Sequence, residues 1–99
     1  MMYESKLKSE ATDRLFKAVL SLKNEEECYR FFDDLCTIGE ILAMTQRYQV
    51  AGMLREGSSF SEIIKKTGVS SATITRVKKC LTYGADGYKT MLEREAAGD

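Results

Sequence analysis

Apolar residues recur along this chain at helical spacing, in blocks separated by single glycines or short polar turns. Leu15, Phe16, Val19, Leu20 and Leu22 form a broad stripe that predicts a first helix over about Glu10 to Leu22. Asn24 is placed to cap a second helix. Glu25, Glu26 and Glu27 fall in its first turn, where negative charge suits the helix dipole. Cys28, Phe31, Phe32 and Leu35 follow at i, i+3, i+4 and i+7.

Thr37 and Glu40 have the spacing of a capping box and predict the start of a third helix, which runs to about Glu56 and stops at Gly57. Ile41, Leu42, Met44, Tyr48, Val50, Ala51, Met53 and Leu54 surround it on most sides, the pattern of a buried helix. Ser59 and Glu62 repeat the box for a short fourth helix that ends at Thr67, before Gly68. Ser70 is the N-cap of a fifth, running to about Leu81. Gly84 interrupts the chain, Asp86 is positioned to cap a last helix through Glu95, and residues 96–99 are expected to fray.

With no strand pattern, no repeat and no proline to break a helix, the expectation is an all-α chain of six helices. Its 99 residues form one domain. Within it, helices over about 10–56 serve dimerisation, 59–82 form a helix-turn-helix, and a last helix covers about 86–95. The apolar faces of the first two helices exceed what so short a chain can cover, which favours a homodimer.

Composition narrows the chemistry. At 43% hydrophobic and 30% charged residues the chain reads as globular rather than disordered. No apolar run approaches the ~18–20 residues of a membrane span, and residues 1–10 lack the apolar stretch of a secretory leader, so the expected location is the cytoplasm. Cys28, Cys36 and Cys80 are odd in number and form no CxxC, which points to neither a disulfide framework nor a metal site. Cys28 and Cys80 fall on apolar faces and are expected to pack there as small hydrophobes. The absence of histidine removes the Ser-His-Asp and Cys-His constellations and the usual zinc sites. No glycine-rich phosphate loop is present, and an enzyme is not expected.

The net charge of zero conceals an asymmetry. Residues 1–40 carry six bases and nine acids, for −3. Residues 58–82 carry Lys65, Lys66, Arg76, Lys78 and Lys79 against Glu62, for +4. Positive charge confined to one segment is the footprint of a nucleic-acid binder. That segment holds the helix-turn-helix pattern. Gly68 supplies the positive φ of a tight turn, and Val69 plugs the corner. Ile63 and Ile64 are expected to face inward from the fourth helix, and Ile74, Val77 and Leu81 from the fifth. Common helix-turn-helix units carry a small residue at the position of Ile64, so a wider helix crossing is expected there. Ser71 at the tip, Ala72, Thr75, Arg76 and Lys79 lie on the opposite face, with the residue types that reach base edges and phosphates in a major groove. The full set expected at DNA is Lys65, Lys66, Ser70, Ser71, Ala72, Thr73, Thr75, Arg76, Lys78 and Lys79.

GVSSATITRVKKCL (residues 68–81) and TIGEILAMTQRYQVAGMLREG (residues 37–57) resemble the Trp repressor superfamily, most closely its YerC/YecD-type branch. The string Ala72-Thr73-Ile74-Thr75-Arg76 carries the likeness, which extends over about residues 10–95. The resemblance implies an intertwined all-α homodimer of six-helix chains. It places Ser71, Ala72 and Thr75 at bases, and Arg76, Lys78 and Lys79 near phosphate or ligand. In tryptophan-binding members two arginines clamp the co-repressor, and Arg47 and Arg76 match them as a possible effector site. A glycine follows the second arginine in those members, leaving room for the indole. Here Val77 stands there, at a steric cost of ~1–3 kcal/mol or outright exclusion of the ring. A tryptophan co-repressor is therefore not expected, nor any other cofactor. The expected function is a sequence-specific transcriptional regulator, a repressor, bound as a homodimer to a near-palindromic operator. The alternative is a protein-interaction module on a helix-turn-helix scaffold without specific DNA binding.

Overall fold

In the computed structural model, residues 3–98 are described. Met1, Met2 and Asp99, the last residue of the end expected to fray, lie outside them. Six helices and no strand are found among them: α1 (Glu10–Leu20), α2 (Glu25–Leu35), α3 (Ile38–Arg55), α4 (Phe60–Thr67), α5 (Ser71–Tyr83) and α6 (Gly87–Ala96). The backbone forms two compact units, residues 1–38 and 39–99.

In the first unit, local capping sets the helix limits. Ser9 Oγ accepts the Thr12 amide (3.0 Å) at the start of α1, and the Lys8 ammonium pairs with Asp13. α1 stops at Leu20, two residues short of the expected Leu22. The Ser21 hydroxyl donates to the Ala18 carbonyl there and closes the last turn (2.6 Å). Asn24 caps α2 as expected, its side chain accepting the Glu27 amide (2.9 Å). Neither helix has a buried residue. Phe16, Leu20, Tyr29 and Leu35 are exposed, in line with the apolar surplus read from the pattern.

The second unit is built on a core of Val50, Ala51, Ile63, Val69, Ile74 and Val77. Met53, Leu54, Phe60, Leu81, Tyr88 and Leu92 pack around it. α3 thus contributes its C-terminal half and supports α4, α5 and α6. It ends in a Schellman arrangement: Gly57 takes φ +89°, its amide donates to Leu54, and the Ser58 amide donates to Met53 (3.0 Å). The Tyr48 hydroxyl donates to Glu95 Oε1 (2.8 Å) and ties α3 to α6. That bond, with some desolvation, raises the phenol above its ordinary range. Arg55 donates to the Lys89 carbonyl (3.3 Å) and approaches Glu93 (3.8 Å).

Four expectations are corrected. α3 is not buried all round: Leu42, Met44 and Tyr48 are exposed, because only the side carrying Val50 and Ala51 meets the core. Ile64 does not face inward. It is 40% exposed where Ile63 is fully buried, since adjacent helical positions diverge by about 100°. Cys28 and Cys80 are exposed rather than packed. Asp86 does not cap α6 through its side chain. It takes φ +64°, outside the extended geometry that aims a capping carboxylate at the first-turn amides, and offers its backbone carbonyl to the Thr90 amide instead.

Ile63→Ala should cost about 2–5 kcal/mol and Ile64→Ala less than about 1 kcal/mol, measured by urea unfolding. A second test concerns the α4 cap. Glu62 accepts the Ser59 amide (2.8 Å), and this bond holds its carboxyl below the usual glutamate range. Its contribution is therefore complete above the ordinary glutamate pKa and disappears as pH falls through the lower, folded value. The stability difference between wild type and Glu62→Gln should narrow along that descent.

Candidate nucleic-acid interface

The segment from Ser59 to Tyr83 folds as two helices around one glycine. The Ser59–Glu62 box closes reciprocally at the start of α4, where Ser59 Oγ accepts the Glu62 amide (3.2 Å). Gly68 takes φ +76° at the end, and its amide donates to the Ile64 carbonyl (2.8 Å). Val69 enters the core at 8% exposure, filling the corner as its position predicts. The turn is braced from two sides. The Thr67 hydroxyl donates to Ile63 and accepts the Val69 amide. From α3, the Gln46 amide donates to the Thr67 carbonyl (3.3 Å). Ser70 Oγ then accepts the Thr73 amide (3.2 Å) and starts α5.

Burial of Ile74 and Val77, with Leu81 half-buried, fixes the rotation of α5. Ser71, Ala72, Thr75, Arg76 and Lys79 consequently face solvent, as expected. The Thr75 hydroxyl donates to the Ser71 carbonyl (3.0 Å). The side chain is otherwise exposed. Lys65 and Lys66 are exposed in the last turn of α4. Among the described residues, none of Lys65, Lys66, Arg76, Lys78 and Lys79 forms an ion pair. Exposed bases that neutralise no carboxylate among the described residues keep their charge for an external anion.

The remaining residues of the set divide. Ser70 and Thr73 are engaged with each other in the cap, and Thr73 is half-buried, so both shape the tip. Lys78 is exposed on α5 in line with Ser71 and Thr75, its ammonium 5.8 Å from the centre of the Phe60 ring. Arg47 and Arg76 do come together. They line a small pocket of about 190 Å³ with Ala43, Gln46, Val69 and Thr73. Val77 is in the core at 1% exposure and is not part of that lining.

Two features escape sequence reasoning. A groove of about 580 Å³ runs beside α5, with Leu54, Phe60 and Leu81 as apolar lining and Arg55, Lys78 and Lys89 as bases. Its parts come from four helices, and no sequence spacing unites them. An apolar groove of about 450 Å³ lies on another side, lined by Tyr48, Cys80, Tyr88 and Met91 among others. Among the described residues no cluster of histidine, cysteine or carboxylates could hold a metal ion, and no helix is long and apolar enough to cross a membrane.

Comparison with known proteins agrees with this geometry. The family model described as Trp repressor protein matches residues 10–96. The uncharacterized protein YerC of Bacillus subtilis (strain 168) is 56% identical over 93 residues, covering 94% of this chain and 89% of its own. A crystal structure of a TrpR-like protein from Eubacterium eligens ATCC 27750 superposes with a TM-score of 0.89 at 53% identity, over 92% of this chain and 94% of that one. A Trp repressor candidate from Staphylococcus aureus gives 0.89 at 48% identity, over 97% and 96%.

Because Gly68 sits in the left-handed region, Gly68→Ala should destabilise the chain by about 1 kcal/mol, although no neighbour lies within 4 Å of the added methyl. Thermal unfolding checks this. An unchanged midpoint would show that the turn does not depend on glycine.

Proposed function

We propose, from the premise that the chain belongs to the Trp repressor family, that it is a sequence-specific transcriptional repressor acting on double-stranded DNA. The observation that carries this reading is the pairing of five bases on α4 and α5, without ion-pair partners among the described residues, with an outward row of small residues on α5. Arginine and lysine neutralise phosphates and give affinity. Ser71, Ala72 and Thr75 are short enough to let the tip of α5 approach base edges. Thr75 has spent its proton on Ser71, so it accepts from an adenine or cytosine amino group or offers its methyl to thymine.

The chain acts as a homodimer in this reading. Phe16, Leu20, Leu42, Tyr48 and Met91 are all exposed, apolar side chains that a second copy would cover. Two heads then read two half-sites about 34 Å apart on a near-palindromic operator. Arg47 and Arg76 line one small pocket and offer an effector position; Val77, which stands where tryptophan-binding members carry glycine, lies in the core outside that lining. The regulatory character of the family supports a binder rather than an enzyme.

Sedimentation should give twice the 11.2 kDa chain mass. Selection from random duplexes should return a near-palindromic sequence. On that duplex, Arg76→Ala and Lys79→Ala should each weaken binding at least threefold and leave the thermal midpoint unchanged. Removal of one phosphate-neutralising base should flatten the slope of log affinity against log salt by about 0.9. Binding without sequence preference at low salt would refute the reading.

A further inference from the structure

The groove lined by Arg55, Lys78 and Lys89 is not accounted for by the reading head. Three bases and no acid line it, together with Phe60 and Leu81. Arg55 is partly engaged, by Glu93 at 3.8 Å and by the Lys89 carbonyl. Lys78 and Lys89 have no ion-pair partner among the described residues. The Lys89 side chain is exposed, and only its backbone oxygen is used by Arg55.

The groove also has a defined relation to α5. Ser71, Thr75, Lys78 and Thr82 are spaced i, i+4, i+7 and i+11, one ridge along the helix, and all four are exposed. The ridge starts at the tip and ends in the groove, which Lys78 and Thr82 line. Lys78 is seven residues from Ser71, about 10 Å along the axis. The major groove of B-DNA is ~8.5 Å deep. With Ser71 at the base edges, Lys78 therefore stands at the rim, at the level of the phosphates.

Resting on the DNA-binding reading above, we propose that this groove is a second phosphate-binding element, in which Arg55, Lys78 and Lys89 hold the DNA backbone at the edge of each half-site. The apolar lining fits the carbon face of a deoxyribose, and the bases neutralise the phosphates on either side. The element adds affinity and fixes the angle at which α5 enters the groove. It reads no sequence, because its side chains end at the rim. Lys89, on α6 and outside the helix-turn-helix, becomes a DNA-contacting residue.

The test uses Lys89→Ala, which removes the side chain and leaves the carbonyl that Arg55 uses, with Lys89→Arg as the charge-preserving variant. Salt-dependent affinities and phosphate-ethylation interference are measured on the selected duplex and on one with a scrambled core. Lys89→Ala should weaken binding three- to tenfold on both duplexes, with an unchanged thermal midpoint. It should flatten the salt slope by about one per chain and abolish ethylation interference at one backbone position in each half-site. Lys89→Arg should restore all three. An unchanged affinity and slope overturns the proposal while leaving the reading head intact, and so does a weakening confined to the selected sequence. Failure of the wild-type protein to bind either duplex overturns both this proposal and the functional reading on which it rests.

Discussion

The seating of Ile74 and Val77 of α5 against Val50, Ala51 and Ile63 is the packing on which the remainder of the second unit depends. Both side chains are essentially sealed from solvent, and together with Leu81 they leave the helix one rotational setting. That setting aims Ser71, Thr75 and Lys79 outward, puts Arg76 beside Arg47, and lays Lys78 over Phe60. Side chains along one thirteen-residue helix thereby acquire different surroundings, none of them chosen independently of the core.

The turn between α4 and α5 is held by a different kind of force. Its geometry comes from one left-handed glycine and a chain of hydroxyl and amide bonds through Thr67, with Gln46 reaching across from α3. Such bonds are individually modest, at about 1 kcal/mol each, yet directional. Apolar packing supplies cohesion, and the polar bonds hold the turn itself. Gln46 and its neighbour Arg47 put the same stretch of α3 in touch with both the turn and the Arg76 pocket.

Much of this was legible in the residues because it is local. The caps at Asn24, Ser59 and Ser70 and the stops at Gly57 and Gly68 are written within four residues of the features they control. The outward face of α5 followed from its own apolar period. What sequence pattern misjudged is relational. Two adjacent isoleucines look alike in a periodicity, yet only Ile63 meets α3 and α5. An all-round apolar α3 reads as buried even though this chain covers one side of it. Asp86 has the composition of a cap and the backbone of a left-handed turn. The groove of Arg55, Lys78 and Lys89 joins residues 34 positions apart, so no window of sequence contains it.

The unpaired bases of α4 and α5 also bear on how such a molecule approaches a polyanion. Because the whole chain sums to zero charge, a distant duplex exerts no net pull on it. It exerts a torque instead, since positive excess sits on one segment and negative on others. In physiological salt, with a screening length of about 8 Å, even that torque is felt only at close range. Under the DNA-binding reading proposed above, such a protein is aligned at the last moment, within a screening length of the duplex, rather than collected from afar.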